Sequence, residues 1–404
     1  MNSTIISVGN ELLMGKTLNT NLTYIAKELR KMGIAVAKAY TIQDHESAIK
    51  AALKHADDPI VILTGGLGPT PDDMTKEVVC AYLGLEMTLH EASLHAIEKM
   101  FLKYGKIMPE SNRKQALFPK EADVLENPMG TAPGMLVKKS DQTFILLPGP
   151  PNEMRPMFDL VKPLLLNQRD QVILQEGFLV AGIGESEMED KLDDFALQHP
   201  LVRIAPYAGV GEIQYIFSST DETALKTALD AFKARFRRYI MGPYTQTFEE
   251  ILVHELMQRH ETISVIESCT TGLFSGRLGN VPGVSEVFKE SYVLYDNDVK
   301  TRLLDLHPSV ISSFGVVSKE AVSAMAEGLA LKTKADITLA ISGIAGPSGG
   351  TSDKPVGTVA FGIHYEGKTH TFERFFPGDR HTIRHRSVAY ALYLLICQVK
   401  RHGC

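Results

Sequence analysis

Three side chains in this sequence have the types and spacing of a hydrolytic site. Ser268 ends the run Thr262-Ile-Ser-Val-Ile-Glu-Ser268, which reads as a buried strand breaking into a helix at a serine. A serine at that address sits among unpaired backbone N–H groups and the positive end of the helix dipole, which can hold an oxyanion. Downstream, Ser291-Tyr-Val-Leu-Tyr295 reads as a second strand, and Lys300 falls just inside a following helix capped by Asn297. A lysine of lowered pKa can act as the base that a serine nucleophile requires. Its pKa must fall several units from about 10.4, through burial or a neighbouring cation. Ser268, Tyr295 and Lys300 together suggest an amide or ester hydrolase without a histidine. Each also has a plainer reading: Ser268 as a helix cap, Lys300 as a solvated cation, Tyr295 as packing. Cys269 is a rival, either a thiol acidified by the helix terminus or a small buried hydrophobe.

Two glycine-rich segments have the composition to grip phosphate. Ile341-Ser342-Gly-Ile-Ala-Gly346-Pro-Ser-Gly349-Gly350 follows a strand at Ile337–Ile341, and its small residues permit a backbone anion nest or a surface loop. Arg380 and Arg384 would share a helix face, either clamping a phosphate or lining a solvated face. Nearer the N-terminus, Pro59–Leu63 reads as a buried strand entering Thr64-Gly65-Gly66-Leu-Gly68-Pro-Thr70-Pro-Asp72-Asp73. This loop offers phosphate donors around Gly65, Gly66, Gly68 and Thr70. Asp72 and Asp73 offer hard oxygen ligands for a divalent metal, and one of them is expected to cap the next helix. The stretch Gly9-Asn-Glu-Leu-Leu-Met-Gly15-Lys16-Thr17 has five residues between its glycines, where a P-loop has four, and is rejected.

The elements that must position these residues alternate strand with helix. Thr4–Val8, Ile34–Ile42 and Pro59–Leu63 read as strands, Asn21–Met32 and His45–His55 as helices, with another helix from about Met74. Such repeats imply a parallel sheet covered on both faces, with ligands beyond the carboxyl ends of its strands. The loops at Gly9, Gly65–Gly68 and Pro148–Glu153 are expected there. Residues 170–245 form a small α+β module, a spacer or dimer contact, with strands Val172–Ala181 and Glu212–Ser218 and helices Glu185–Phe195 and Glu222–Phe236. A helix at Phe248–Gln258 opens a second α/β unit. The expected fold class is α/β: two three-layer α/β domains with parallel-rich sheets, joined by the module. Their bounds are 1–168, 169–246 and 247–404.

A chain of 404 residues is too long for one core. Its net charge of −6 argues against a dedicated nucleic-acid binder. Cys80, Cys269, Cys397 and Cys404 show neither disulfide nor zinc spacing, which fits a reducing cytoplasm. The N-terminus lacks signal-peptide features, and no apolar run approaches the roughly 20 residues of a membrane span. The expected setting is cytoplasmic.

Across nearly its whole length the chain resembles the competence/damage-inducible protein A (CinA) family. The N-terminal motifs are Gly9-Asn-Glu-Leu, Asn19-Thr-Asn21, Thr64–Thr75, Asn112-Arg-Lys-Gln115, Asn127–Gly134 and Pro148–Glu153. They resemble the molybdopterin-binding fold of molybdenum-cofactor synthesis proteins. The resemblance implies an ADP-ribose pyrophosphatase using a divalent metal, with Asp44 and Asp73 matching acidic positions; Asp44 is followed by His45, where a second Asp is common. The C-terminal motifs are Glu267-Ser-Cys-Thr270, Tyr295 to Lys300, Ser342–Gly350, Lys354–Thr358 and Pro377–Arg380. They resemble nicotinamide-nucleotide amidases, which convert nicotinamide mononucleotide to nicotinate mononucleotide and ammonia without a cofactor. That likeness implies Ser268 as nucleophile, Lys300 as base and Tyr295 as assistant, with Ser342 and Arg380 at further catalytic or binding positions. It also brings Cys269 and Thr270 to the substrate. The family's Cys-Thr-Gly-Gly is Cys269-Thr270-Thr271-Gly272 here, so Thr271 is expected to crowd the loop or to forbid a positive φ. The expected partners are small nucleotides, and a homodimer is expected. The rival expectations are a regulatory protein of competence or DNA damage, and a molybdopterin-binding protein.

Overall fold

The computed structural model describes residues 1–166, 173–304 and 307–401. The chain forms two compact units, Met1–Ile173 and Leu174–Cys404.

The first unit is built on strands β1 (Asn2–Val8), β2 (Ala35–Ile42), β3 (Ile60–Thr64), β6 (Asp123–Leu125), β7 (Gly134–Lys139) and β8 (Gln142–Leu147), with a separate pair, β4 (Met87–Leu89) and β5 (Leu117–Pro119). The main sheet runs β2-β1-β3-β8-β7-β6, with β2, β1, β3 and β8 parallel, β7 antiparallel to β8 and β6 antiparallel to β7. Successive side chains of β1 and β3 point to opposite faces, and both faces are apolar. Ile5, Ile60 and Ile62 pack against the helices Thr20–Lys31 and Pro151–Leu166, while Ile6, Val61 and Leu63 pack against Glu46–Lys54 and Thr75–Leu83. Continuous apolar strands therefore need helices on both sides, which gives three layers.

The second unit begins with the small module: β9 (Leu174–Val180), β10 (Arg203–Ala208), β11 (Ile213–Ser219) and β12 (Ile240–Pro243), an antiparallel sheet ordered β10-β11-β9-β12. One face packs Phe178, Val180, Tyr215 and Phe217 under the helices Glu185–Gln198 and Glu222–Phe236. Leu179, Ala181 and Met241 instead join the core of the following layers. Those layers surround β13 (Ile263–Glu267), β14 (Phe288–Val293), β15 (Ile337–Gly343), β16 (Thr358–Tyr365) and β17 (Lys368–Phe375), ordered β14-β13-β15-β16-β17. Strands β14, β13 and β15 are parallel; β16 and β17 run antiparallel. The helices Phe248–Arg259 and Arg380–Lys400 cover one face, and Lys319–Thr333 covers the other. The expected α/β class stands, and Val172, the expected start of β9, lies outside the described residues. Among the described residues, no helix is long and apolar enough to cross a membrane.

Candidate active sites

In the second unit, β13 lies between β14 and β15, so the chain departs in opposite directions from its carboxyl end. Such a switch point leaves a crevice for ligands. Ser268 follows β13 at that end, and its N–H donates to Ile341 O at 3.0 Å. The parallel register Glu267↔Ile341 brings Ser268 alongside Ser342. Ser268 is 6% exposed and Ser342 is 1% exposed.

Ser268 does not begin a helix. Residues 268–272 form a turn, and the helix starts at Leu273. Its first amides are already claimed: the buried Glu267 carboxylate accepts from Phe274 N at 3.0 Å and Ser275 N at 2.9 Å. Ser268 is therefore neither its cap nor aligned with its dipole, and the oxyanion donors expected from that helix are not available. Different donors stand closer. Among the described residues, the N–H groups of Cys269 and Thr270 have no backbone acceptor, and that of Cys269 faces its own sulfur. The hydroxyls of Thr270 and Ser342 are also buried without a partner. An interior hydroxyl left unpaired costs about 1–3 kcal/mol, so this cluster suits a bound oxygen.

Thr271 adopts φ 48° and Gly272 φ 85°. The positive φ that a threonine was expected to forbid is present. Arg384 accounts for its persistence. Its Nε donates to Cys269 O at 3.1 Å, and its Nη2 donates to Thr270 O at 2.7 Å and to Thr271 Oγ1 at 2.6 Å. Arg384 thus braces the turn and is not half of a phosphate clamp. Arg380 is exposed; it donates to Gly346 O at 2.9 Å and to the Tyr295 hydroxyl at 3.4 Å, linking the glycine-rich loop to Tyr295. Gly349 and Gly350 are exposed, and a Cβ on Gly350 would stand 2.8 Å from Val356 N, so the loop folds closely on itself.

Lys300 is 1% exposed, and burial lowers its pKa. Its Nζ donates to Tyr295 O at 3.3 Å. The helix that carries it starts at Asn297, and its cap is Asp296, whose carboxylate accepts from Asp298 N at 2.8 Å. Tyr295 is 60% exposed and lies beyond the end of β14 rather than within it. Cys269 is 3% exposed, and burial pushes its thiol up to about 12 despite nearby Arg384 and Lys300. A thiol in that state is not the nucleophile at neutral pH.

In the first unit, β1 likewise lies between β2 and β3. A cavity of about 390 Å³ at the carboxyl ends is lined by Asp44, Gly65, Gly66, Gly68, Asp72 and Asp73, and also by Glu11 and Glu153. Gly65 is required by contact: a Cβ there would stand 2.1 Å from the backbone Val8 O, whereas one on Gly68 would displace the Asp73 carboxylate. Neither aspartate caps the following helix. Asp73 accepts from Thr70 N at 3.0 Å, and the Thr70 hydroxyl lies within hydrogen-bond distance of both Asp72 and Asp73, with one hydrogen to give to either. Thr70 therefore closes the loop upon itself. Asp44 has its pKa raised by burial, with Glu11, Asp72 and Asp73 adding repulsion, although Asn10 N donates to it at 2.9 Å. Among the described residues, no group of three or more His, Cys, Asp or Glu side chains is placed to hold a metal ion.

Residues 245–399 match the family model described as "CinA C-terminal domain", and residues 4–167 match "Probable molybdopterin binding domain". A competence-damage inducible protein of Clostridium botulinum (Langeland strain) is 40% identical, the match covering 98% of this chain and 99% of that one. The chain belongs to the CinA family. A CinA-like protein of Dictyoglomus thermophilum is 42% identical over 98% of each chain. The crystal structure of a CinA protein of unknown function from Thermoplasma acidophilum is 35% identical, covering 41% of this chain and 99% of that one, with a TM-score of 0.38.

Several residues of this CinA chain lie in the quoted motifs without a role assigned to them, and Lys76 lies outside those motifs. Lys114 donates to Thr70 O at 2.9 Å and to Asp73 O at 2.5 Å, and Gln115 donates to Leu67 O at 3.1 Å. Buried Lys76 donates to Gln115 O at 2.8 Å. Asn127 donates to Glu153 at 2.7 Å, setting its carboxylate in the cavity wall. Glu267 had a legible signal: a charged residue ends an otherwise apolar strand directly before the turn.

Proposed function

We propose that the second unit hydrolyses the carboxamide of nicotinamide mononucleotide. The observation that carries this reading is Lys300: a lysine of lowered pKa, buried beside the turn that presents Ser268. Ser268 Oγ attacks the carboxamide carbon as Lys300 Nζ takes its proton. The oxyanion that forms is held by the N–H groups of Cys269 and Thr270, donors already placed before reaction. Lys300 returns the proton to the departing nitrogen, and ammonia leaves an acyl-serine. Water then attacks the ester, giving its proton to Lys300, which restores the Ser268 hydroxyl. The Ser342 hydroxyl would gain a partner from substrate, and Arg380 has guanidinium donors to offer the phosphate. The test is ammonia release from nicotinamide mononucleotide by the full chain. Ser268→Ala should remove activity while Cys269→Ala retains it; an active Ser268→Ala protein sinks the mechanism.

The acidic cavity of the first unit supports a second activity, hydrolysis of the pyrophosphate of ADP-ribose. Its hard carboxylate oxygens suit magnesium, which is usually bound by one or two carboxylates plus substrate phosphates. No three of the cavity's carboxylates are gathered for a metal, so one or two of Asp73, Asp72 and Asp44 would hold the ion together with substrate phosphates, and its charge would offset that developing on phosphate. The amides around Gly65, Gly66 and Gly68 would receive the phosphates. AMP release should require a divalent metal and vanish in Asp73→Ala; a metal-independent rate counts against the assignment. The match to a molybdopterin-binding model favours one other reading, and titrating the full chain with molybdopterin separates the two.

A further inference from the structure

A cavity of about 750 Å³ in the second unit is lined by none of the residues assigned above. The small module contributes Gly182, Gly184, Glu187 and Gly211; β17 and the last helix contribute Phe372, Arg374, Arg386, Tyr390 and Tyr393. Its volume falls in the range of small-molecule sites, about 300–1,000 Å³.

The lining pairs aromatic rings with cations. Tyr390 and Tyr393 have centroids 5.9 Å apart, and the Arg374 guanidinium lies 5.5 Å from the Tyr390 ring centre. Arg386 donates from Nη1 to Pro377 O at 2.8 Å, which engages one of its five N–H donors. Among the described residues, neither arginine has a carboxylate within 4.0 Å. Glu187 is the acidic group in the wall, so positive charge exceeds negative there. The helix Glu185–Gln198 starts in the same wall, but its first turn carries Glu185 and Glu187, so the anion-binding end of the cavity is the arginine side. Gly182 permits the close approach of the wall: a Cβ there would stand 2.4 Å from the Tyr393 hydroxyl.

We propose that this cavity binds a mononucleotide, with its base against Phe372, Tyr390 and Tyr393 and its phosphate between Arg374 and Arg386. Aromatic rings accept any planar base, and unneutralised guanidiniums recognise phosphate. The site is separate from the Ser268 chemistry and stands whether or not that reading holds.

The chain contains no tryptophan. Phe372→Trp therefore places a sole indole reporter in the wall. Titration of this full-length protein with AMP should give a saturable fluorescence change. Adenosine and inorganic phosphate should each bind about tenfold or more weakly, a tenfold ratio being the loss of one good contact. Adding Arg374→Ala and Arg386→Ala should weaken AMP by at least about tenfold, with unchanged far-UV circular dichroism. Calorimetry on the chain without the tryptophan guards against the reporter filling the cavity: the paired arginine substitutions should remove one equivalent of AMP binding. The proposal is overturned if neither method detects the site up to about 10 mM AMP. It is equally overturned if the arginine substitutions leave binding intact or if adenosine binds as well as AMP.

Discussion

Thr271 takes the left-handed conformation at φ 48° although it is β-branched. That geometry costs an L-residue roughly 1–2 kcal/mol. The Arg384 bond to its hydroxyl returns about 1 kcal/mol of this. Thr271→Gly relieves the strain and forfeits the bond, so stability should stay within about 1 kcal/mol of the parent in urea denaturation. Lys300 gives a prediction in pH. Burial holds its folded pKa below the unfolded value of about 10.4, so between the two the unfolded chain binds more protons. Stability contributed by this group therefore rises with pH across that window and is lost as pH falls through the folded pKa. Lys300→Met should flatten the rise, as seen in denaturation midpoints from neutral to alkaline pH. Ser268, Lys300 and Tyr295 were legible from residue type and spacing. The role of Arg384 was not, because two of its three acceptors are carbonyls of residues 269 and 270, which leave no mark in residue identity.

At the scale of elements, the glycine-rich loop after β3 is held by the segment Asn112–Gln115 and by the helix Thr75–Leu83, which supplies Lys76. Lys76 is 4% exposed and lies 4.0 Å from the Phe118 ring centre; burial brings its pKa down to about 8. The folded value is depressed, so stability should rise between about pH 8 and the ordinary lysine value of 10.5. Lys76→Met should remove that rise and loosen the loop, raising the KM for ADP-ribose more than it lowers kcat. The assigned helices were readable to within a few residues because their apolar period is strong; Glu222–Phe236 shows its expected bounds. Strands β4 to β8, β10, β12, β16 and β17 went unassigned, as did the helices Glu91–Lys103, Pro151–Leu166 and Lys319–Thr333. Short or edge strands such as β6 and β17 bury too little of one face for alternation to stand out.

At the scale of the molecule, the two units have separate apolar cores, and thermal unfolding should resolve two transitions. The expected boundary at residue 247 lies beside the start of the family match at 245, while Leu179, Ala181 and Met241 pack into the core beneath β13 and β15. A fragment beginning at residue 174 should stay soluble and keep its circular dichroism, whereas one beginning at 247 should aggregate. The three-part reading came from local patterns, which record each strand's own faces and not the neighbour that the second face meets. The shared core also bears on motion. Amide hydrogens of β9 and β12 should exchange with solvent as slowly as those of β13, in one cooperative opening. The small module would then breathe with the C-terminal layers and not swing ahead of them.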